Sequence, residues 1–186
     1  MAKYSTLGKK ILLLLGAGIA LSFAGTPGRQ FKILKDLPKE WKKIDQARLR
    51  RLVREFYRDR LVDFQEEKDG QIKVIITEEG KKKILRYKID EMKINIPSRW
   101  DGIWRLVMFD IPEKKRFVRD ALRNKLRELD FKELQKSVFI FPYRCENEVD
   151  FIVEVFDIRS YVRYAEVKNI TNEAELKLHF QKLGIL

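Results

Sequence analysis

At 186 residues with 45% hydrophobic content, the chain holds one ordinary domain or two small ones, each with a real core, and its composition gives no sign of disorder. Its formal charge of +12 is uneven: residues 1–99 carry 24 Lys and Arg against 13 Asp and Glu, while residues 100–186 carry 16 against 15. A basic half joined to a near-neutral half points to a polyanion-binding module attached to something else, the polyanion being nucleic acid or, in competition, an acidic membrane surface. The single cysteine, Cys145, excludes an intramolecular disulfide and a cysteine-rich zinc site, and fits a reducing cytoplasm. His179 has no second His or Cys as companion, and no flanking motif makes it part of a Ser-His-Asp arrangement.

The first element is the apolar run at residues 11–24, ILLLLGAGIALSFA. At about 14 apolar residues it falls short of the roughly 20 needed to span a bilayer. Lys9 and Lys10 before it and the small residues after it give it the outline of a secretory signal peptide, but a buried first helix in a small helical core is the better account. Residues 25–28, Gly-Thr-Pro-Gly, are a turn, and Phe31, Leu34 and Leu37 then lie at helical spacing in a short helix stopped by Pro38. Residues 39–43 with Trp41 form a basic turn.

Residues 46–60, QARLRRLVREFYRDR, carry Leu49, Leu52, Val53, Phe56 and Tyr57 on one helical face. A rotation of roughly 100° per residue places Arg51, Arg54 and Arg58 in a stripe opposite, with Ala47 beside them. Asp45 is positioned to cap the first turn, with Ile44 packing on Leu49. Residues 61–64 and 72–76 read as two strands joined through Asp69-Gly70, a hairpin turn, and Thr77-Glu78-Glu79-Gly80 opens a basic helix running to residue 92. Three helices followed by a hairpin is the plan of a winged helix-turn-helix, whose third helix enters the DNA major groove. On that plan Arg51, Arg54 and Arg58 face the groove, and arginine serves equally for guanine edges and for phosphate. Lys42, Lys43 and Arg48 near the helix start, and Lys68 and Lys73 on the hairpin, are placed as phosphate contacts.

Residues 94–99 form a linker between a first domain at 1–93 and a second at 100–186. In the second, residues 104–110 are a strand and residues 114–129 a helix with Val118, Ala121, Leu122, Leu126 and Leu129 inward. Residues 131–134 and 137–141 are strands, residues 147–156 a helix capped by Asn147, and residues 161–167 the last strand. Asp130 sits where the first of these helices must break in a left-handed conformation. The order βαββαβ gives a ferredoxin-like sheet with two helices on one face, so the fold class is α+β: a winged helix-turn-helix followed by a ferredoxin-like domain.

The string WDGIWRLVMFDIPE at residues 100–113 resembles the opening of the central domain of PaaX-type transcriptional repressors, and residues 119–123 and 126–131 are similar to the helix after it. The same segment with residues 134–139, LQKSVF, also resembles the CRISPR-associated protein called Cas-two, a dimeric ferredoxin-fold protein of the spacer-acquisition complex. The winged helix ahead of it favours the PaaX type. That resemblance implies a cytoplasmic homodimer that represses transcription by occupying double-stranded DNA, with no catalysis, no cofactor and no membrane contact. PaaX-type repressors that sense acyl-coenzyme A carry further C-terminal sequence, so no effector is expected here. The Cas-two resemblance implies an alternative, a Mg²⁺-dependent nuclease or a structural subunit working with a CRISPR integrase. In that family an aspartate at the end of the first strand, here Asp110, pairs with its twin across the dimer axis to hold the metal and serve catalysis. A lone Asp at a strand end otherwise serves as a turn or helix cap.

Overall fold

A computed structural model describes residues 4–24, 32–33, 38–68 and 71–186, and the chain divides into two compact units, Met1–Asp90 and Glu91–Leu186. The α+β class expected from the sequence is what the units show: each has helices and one four-stranded antiparallel sheet.

The first unit runs α1 (Thr6–Gly16), β1 (Ser22–Ala24), β2 (Lys32–Ile33), α2 (Lys39–Lys42), α3 (Gln46–Arg58), β3 (Val62–Glu66), β4 (Gln71–Ile76) and α4 (Glu78–Asp90). Its strands lie in the order β2-β1-β4-β3. The hairpin pairs Val62 with Ile76 through Glu66 with Ile72, which turns Val62, Ile72 and Val74 into the core. The apolar run is divided between two elements. Ile11, Leu12 and Leu15 are buried on α1, a turn with Gly18 at φ +78° follows, and Leu21 and Phe23 are buried where the chain becomes β1. Its hydrophobicity therefore serves a helix and a strand on one mixed core, rather than a helix buried on all sides in a helical core. Among the described residues no helix is long and apolar enough to cross a membrane.

The short helix expected around Phe31, Leu34 and Leu37 is not what Lys32–Ile33 form; they pair as an edge strand with Phe23 and Ala24. Phe31, Leu34 and Leu37 themselves, the 25–28 turn and Asp69-Gly70 lie outside the described residues. Residues 39–42, read as a turn, make one helical turn that buries Trp41, whose indole N–H donates to the Ala20 carbonyl at 3.0 Å.

Helix α3 begins as its sequence requires, with Asp45 Oδ1 accepting from the Arg48 N–H at 2.8 Å and Ile44 and Leu49 both buried in the core. Leu49, Leu52, Val53 and Phe56 form its inner face, and burial of side chains of this size contributes roughly 1.5–3 kcal/mol each. Its end is a left-handed Arg60 (φ 58°), after which the Leu61 N–H donates to the Phe56 carbonyl at 2.9 Å. The Thr77 hydroxyl then joins the hairpin to both helices: it donates to the Arg60 carbonyl at 2.6 Å and accepts from the Gly80 N–H at 3.0 Å. Gly80 lies so close to the Leu61 carbonyl that a Cβ there would stand 2.0 Å from its oxygen.

The second unit runs β5 (Trp104–Phe109), a 3-10 turn (Glu113–Lys115), α5 (Arg116–Glu128), β6 (Lys132–Gln135), β7 (Val138–Phe141), α6 (Glu146–Val155), a 3-10 turn (Arg159–Tyr161), β8 (Val162–Val167) and α7 (Glu173–Lys182). The strands lie in the order β6-β7-β5-β8, every neighbouring pair antiparallel. Asp130 has φ 63°, the left-handed helix end expected of it. Asn147 does not cap α6: the helix starts at Glu146 with buried Cys145 in the cap position, and Asn147 lies inside the first turn. Glu146 and Glu148 in that turn suit the positive end of the helix dipole, which is why the helix starts earlier than Asn147 suggested. Helix α7 has no counterpart in the sequence reading. It buries Leu176 and Phe180, with the Phe180 ring 5.8 Å from that of Trp104.

The 100–105 string is a folded device. Asp101 accepts from the Ile103 N–H at 3.1 Å, and Gly102 supplies φ +75° for the turn. The carboxylate takes both terminal nitrogens of Arg105, which is fully buried in β5. Arg105 Nη1 also donates to the carbonyls of Ile103 at 2.7 Å and Pro142 at 2.8 Å, and Glu166 lies 3.5 Å from its Nε. Trp100 shares the Pro142 carbonyl at 2.7 Å, so strand entry, buried charge and the end of β7 are tied at one point.

Candidate nucleic-acid interface

Helix α3 separates its two faces as its spacing requires. Arg48, Arg51, Arg54 and Arg58 are all exposed, and so is Ala47 among them. With a rise of about 1.5 Å per residue, Arg51 to Arg58 extends roughly 10 Å along the axis, two turns of one rigid element. Because the opposite face is core, this side cannot rotate inward without exposing Leu49, Val53 and Phe56. Lys42 and Lys43 are exposed at the α2–α3 junction, one turn before the arginine face begins. The helix start presents main-chain N–H groups as well, although Asp45 already satisfies that of Arg48.

The two hairpin lysines are unequal. Lys68 is exposed where the chain leaves β3. Lys73 is partly neutralised by Glu67, 3.6 Å away, and sits on the inner strand β4 between Ser22 and Gln65. It is the weaker phosphate candidate of the pair. Tyr57, placed on the apolar face by its spacing, is 48% exposed; its ring rests on Phe64 of β3 at 4.6 Å between centroids. It lies at the margin of the inner face, where a ring packs on the hairpin and still meets water.

Asp110 follows β5 directly and is exposed, its backbone N–H donating to the Tyr161 carbonyl at 2.9 Å. It lines a shallow depression with Met108, Ser137, Val138, Tyr161 and Arg163, the last of which is bonded to the carbonyls of Ser160 and Val162. Among the described residues no group of three or more His, Cys, Asp and Glu is placed to hold a metal ion. A single carboxylate does not make a Mg²⁺ site, which needs several hard oxygens. One copy of this chain therefore does not furnish that site by itself.

Two further side chains matter to the electrostatics of the second unit. Hydrogen bonds from Arg105 hold the Asp101 carboxyl below the usual carboxylate range, against the opposing effect of partial burial. Burial pushes the Cys145 thiol up to about 12, leaving it an inert core residue. Spacing alone gives Arg105 no role, although an Asp-Gly turn with an arginine four residues after the Asp, on a strand otherwise apolar, marks it.

These features define a two-unit α+β protein whose first unit exposes an arginine-lined helix and whose second builds its sheet around a buried Asp–Arg pair. Residues 97–178 match the family model of the PaaX protein central Cas2-like domain. No curated protein matches the chain.

Proposed function

We propose that the protein is a double-stranded DNA-binding transcriptional regulator of the PaaX type, a repressor that acts by occupying its site, cytoplasmic and without a cofactor. The observation that carries this reading is the exposed arginine face of α3, set on a helix whose other face is core and followed by an antiparallel hairpin with an exposed lysine. The order helix, two short strands, helix, helix, hairpin supports reading the first unit as a winged helix-turn-helix with α3 as its recognition helix, and β1 pairing with β4 extends the hairpin into a small sheet edged by β2. In the second unit, the order βαββαβ with strands arranged β6-β7-β5-β8 supports a ferredoxin-like domain.

The homodimer of this reading has a candidate surface. Leu106 pairs with Ala165 and Met108 with Val138 in register, which puts them on one face of the sheet, and all four are only half-buried. A second copy packed there would bury them and present two recognition helices to a two-fold-related site.

Fluorescence anisotropy with labelled duplex over a salt series tests the DNA reading. Binding should weaken with salt, and the Arg51→Ala/Arg54→Ala/Arg58→Ala protein should lose about 2.7 from the slope of log affinity against log salt if all three meet phosphate, at about 0.9 per contact. Where one of them reads a base, its single Ala variant loses preference at that base pair, worth about 1–3 kcal/mol. A triple variant that binds as the wild type refutes α3 as the interface. A duplex cut to fragments in Mg²⁺, with cutting abolished by Asp110→Ala, would replace the repressor reading by the nuclease of the CRISPR-associated alternative.

A further inference from the structure

We propose that Tyr57 is a further DNA-contacting residue, donating its phenol hydroxyl to a backbone phosphate at the edge of the arginine face; this rests on the duplex-binding reading of α3. The exposed residues of this helix are otherwise polar, cationic or small, and Tyr57 is the aromatic among them at 48% exposure. A rotation of roughly 100° per residue places it about 60° from Arg54 and about 20° from Arg50, so it borders the cationic stripe rather than standing apart from it. Phe64 holds the ring at 4.6 Å between centroids and 33° between planes, which fixes the side chain before any ligand arrives.

Phe64 belongs to β3, the strand that leads toward Lys68, so the ring pair fixes the hairpin against the helix beside the arginine face. Among the described residues the Tyr57 hydroxyl has no hydrogen-bond partner, so an exposed donor is left on a ring held at the margin of the arginine face. A phosphate is the acceptor that such surroundings concentrate. A phenol carries no charge at neutral pH, and that separates its contribution from those of the arginines. Releasing no counterion, it adds affinity without steepening the salt dependence.

The experiment is a salt series of duplex binding for the full-length wild type, Tyr57→Phe and Tyr57→Leu, with thermal unfolding of each. Tyr57→Phe keeps the ring on Phe64 and removes the hydroxyl alone. The expected result is affinity lower by roughly three- to tenfold at every salt concentration, an unchanged slope and an unchanged melting temperature. Tyr57→Leu should lose at least as much affinity and also melt lower, because the ring contact goes with it. Wild-type affinity in Tyr57→Phe overturns the proposal and leaves the ring as packing. A slope that becomes shallower by about one also overturns it, since a charged contact has then been lost through a displaced helix. If the folded wild type does not bind duplex at low salt, the interface reading itself fails and the tyrosine contact fails with it. If the wild type binds but the Arg51→Ala/Arg54→Ala/Arg58→Ala protein binds equally well, α3 is not the interface and the tyrosine contact on it falls too; a triple variant that loses binding while Tyr57→Phe keeps it overturns the tyrosine contact alone.

Discussion

Replacing Asp101 by Asn tests whether the 100–105 string is the structural device described above. The substitution keeps the turn's size but removes the negative charge from Arg105, which is fully buried and retains the Ile103 and Pro142 carbonyls and Glu166 at 3.5 Å. Deleting one partner of a wholly buried pair costs about 3–5 kcal/mol. The Asp101 side chain is 39% exposed, so solvent screens the pair and the cost is expected to fall to about 2 kcal/mol. For a unit of roughly 100 residues that lowers the melting temperature by roughly 8–16 °C. Trp100 and Trp104 lie in this unit and report its unfolding by fluorescence, and a Trp41→Phe background removes the signal of the first unit. The pH dependence has a definite sign. Arg105 lowers the folded-state pKa of Asp101, so the pair's stabilisation is complete above the ordinary carboxylate range, near pH 4, and is lost as pH falls through the lowered value. The difference between wild type and Asp101→Asn should therefore be largest near neutrality and shrink in acid. A melting temperature within about 2 °C of wild type at pH 7, or a difference that does not narrow in acid, refutes the reasoning.

Gly80→Ala should destabilise the first unit by about 3 kcal/mol, at the upper end of overpacking, because the added Cβ would stand 2.0 Å from the Leu61 carbonyl oxygen. Gly16→Ala should cost about 1 kcal/mol, since its nearest neighbour at 2.5 Å is the mobile tip of Ile84; denaturant melts of the two variants compare them directly. Asp130→Gly should stabilise the second unit by about 0.5–1 kcal/mol by relieving a left-handed residue at φ 63°, and Asp130→Val should do the opposite in the same melts. Cys145, with its thiol up to about 12 and its side chain buried, should have about one part in ten thousand as thiolate at pH 8 and resist iodoacetamide until the protein is unfolded; labelling in the native state would contradict its place in the core. If the proposed homodimer packs on the half-buried sheet face of the second unit, Leu106→Asp should sediment as a monomer where the wild type sediments as a dimer; a wild type that is itself monomeric refutes that interface.

The parts of this chain that were legible in its sequence are those set by local rules. The α3 helix needed only its spacing, Asp45 at its cap and Ile44 before it, and the structure reproduces each; the left-handed Asp130 followed from the end of an amphipathic run in the same way. What escaped depended on partners far along the chain. The run at residues 11–24 is uniformly apolar, and nothing local says that its second half pairs as a strand with Gln71, Ile72 and Lys73, some 50 residues later. Lys32 and Ile33 likewise become a strand because β1 offers an edge, whereas their own neighbours are spaced for a helix. Spacing misplaces Tyr57 because it assigns a face and not a depth: a residue at the margin of an apolar stripe is buried or exposed according to what is placed against it, and β3 sets Phe64 against its ring while leaving it 48% exposed. The same logic explains the site. The arginines could be named in advance because their exposure follows from the burial of the opposite face, while the tyrosine beside them acquires its ring contact from a hairpin that the helix sequence does not contain. A residue whose role is set by two elements at once is the kind that a single period cannot reveal, and it is also where helix and hairpin would act together on one ligand.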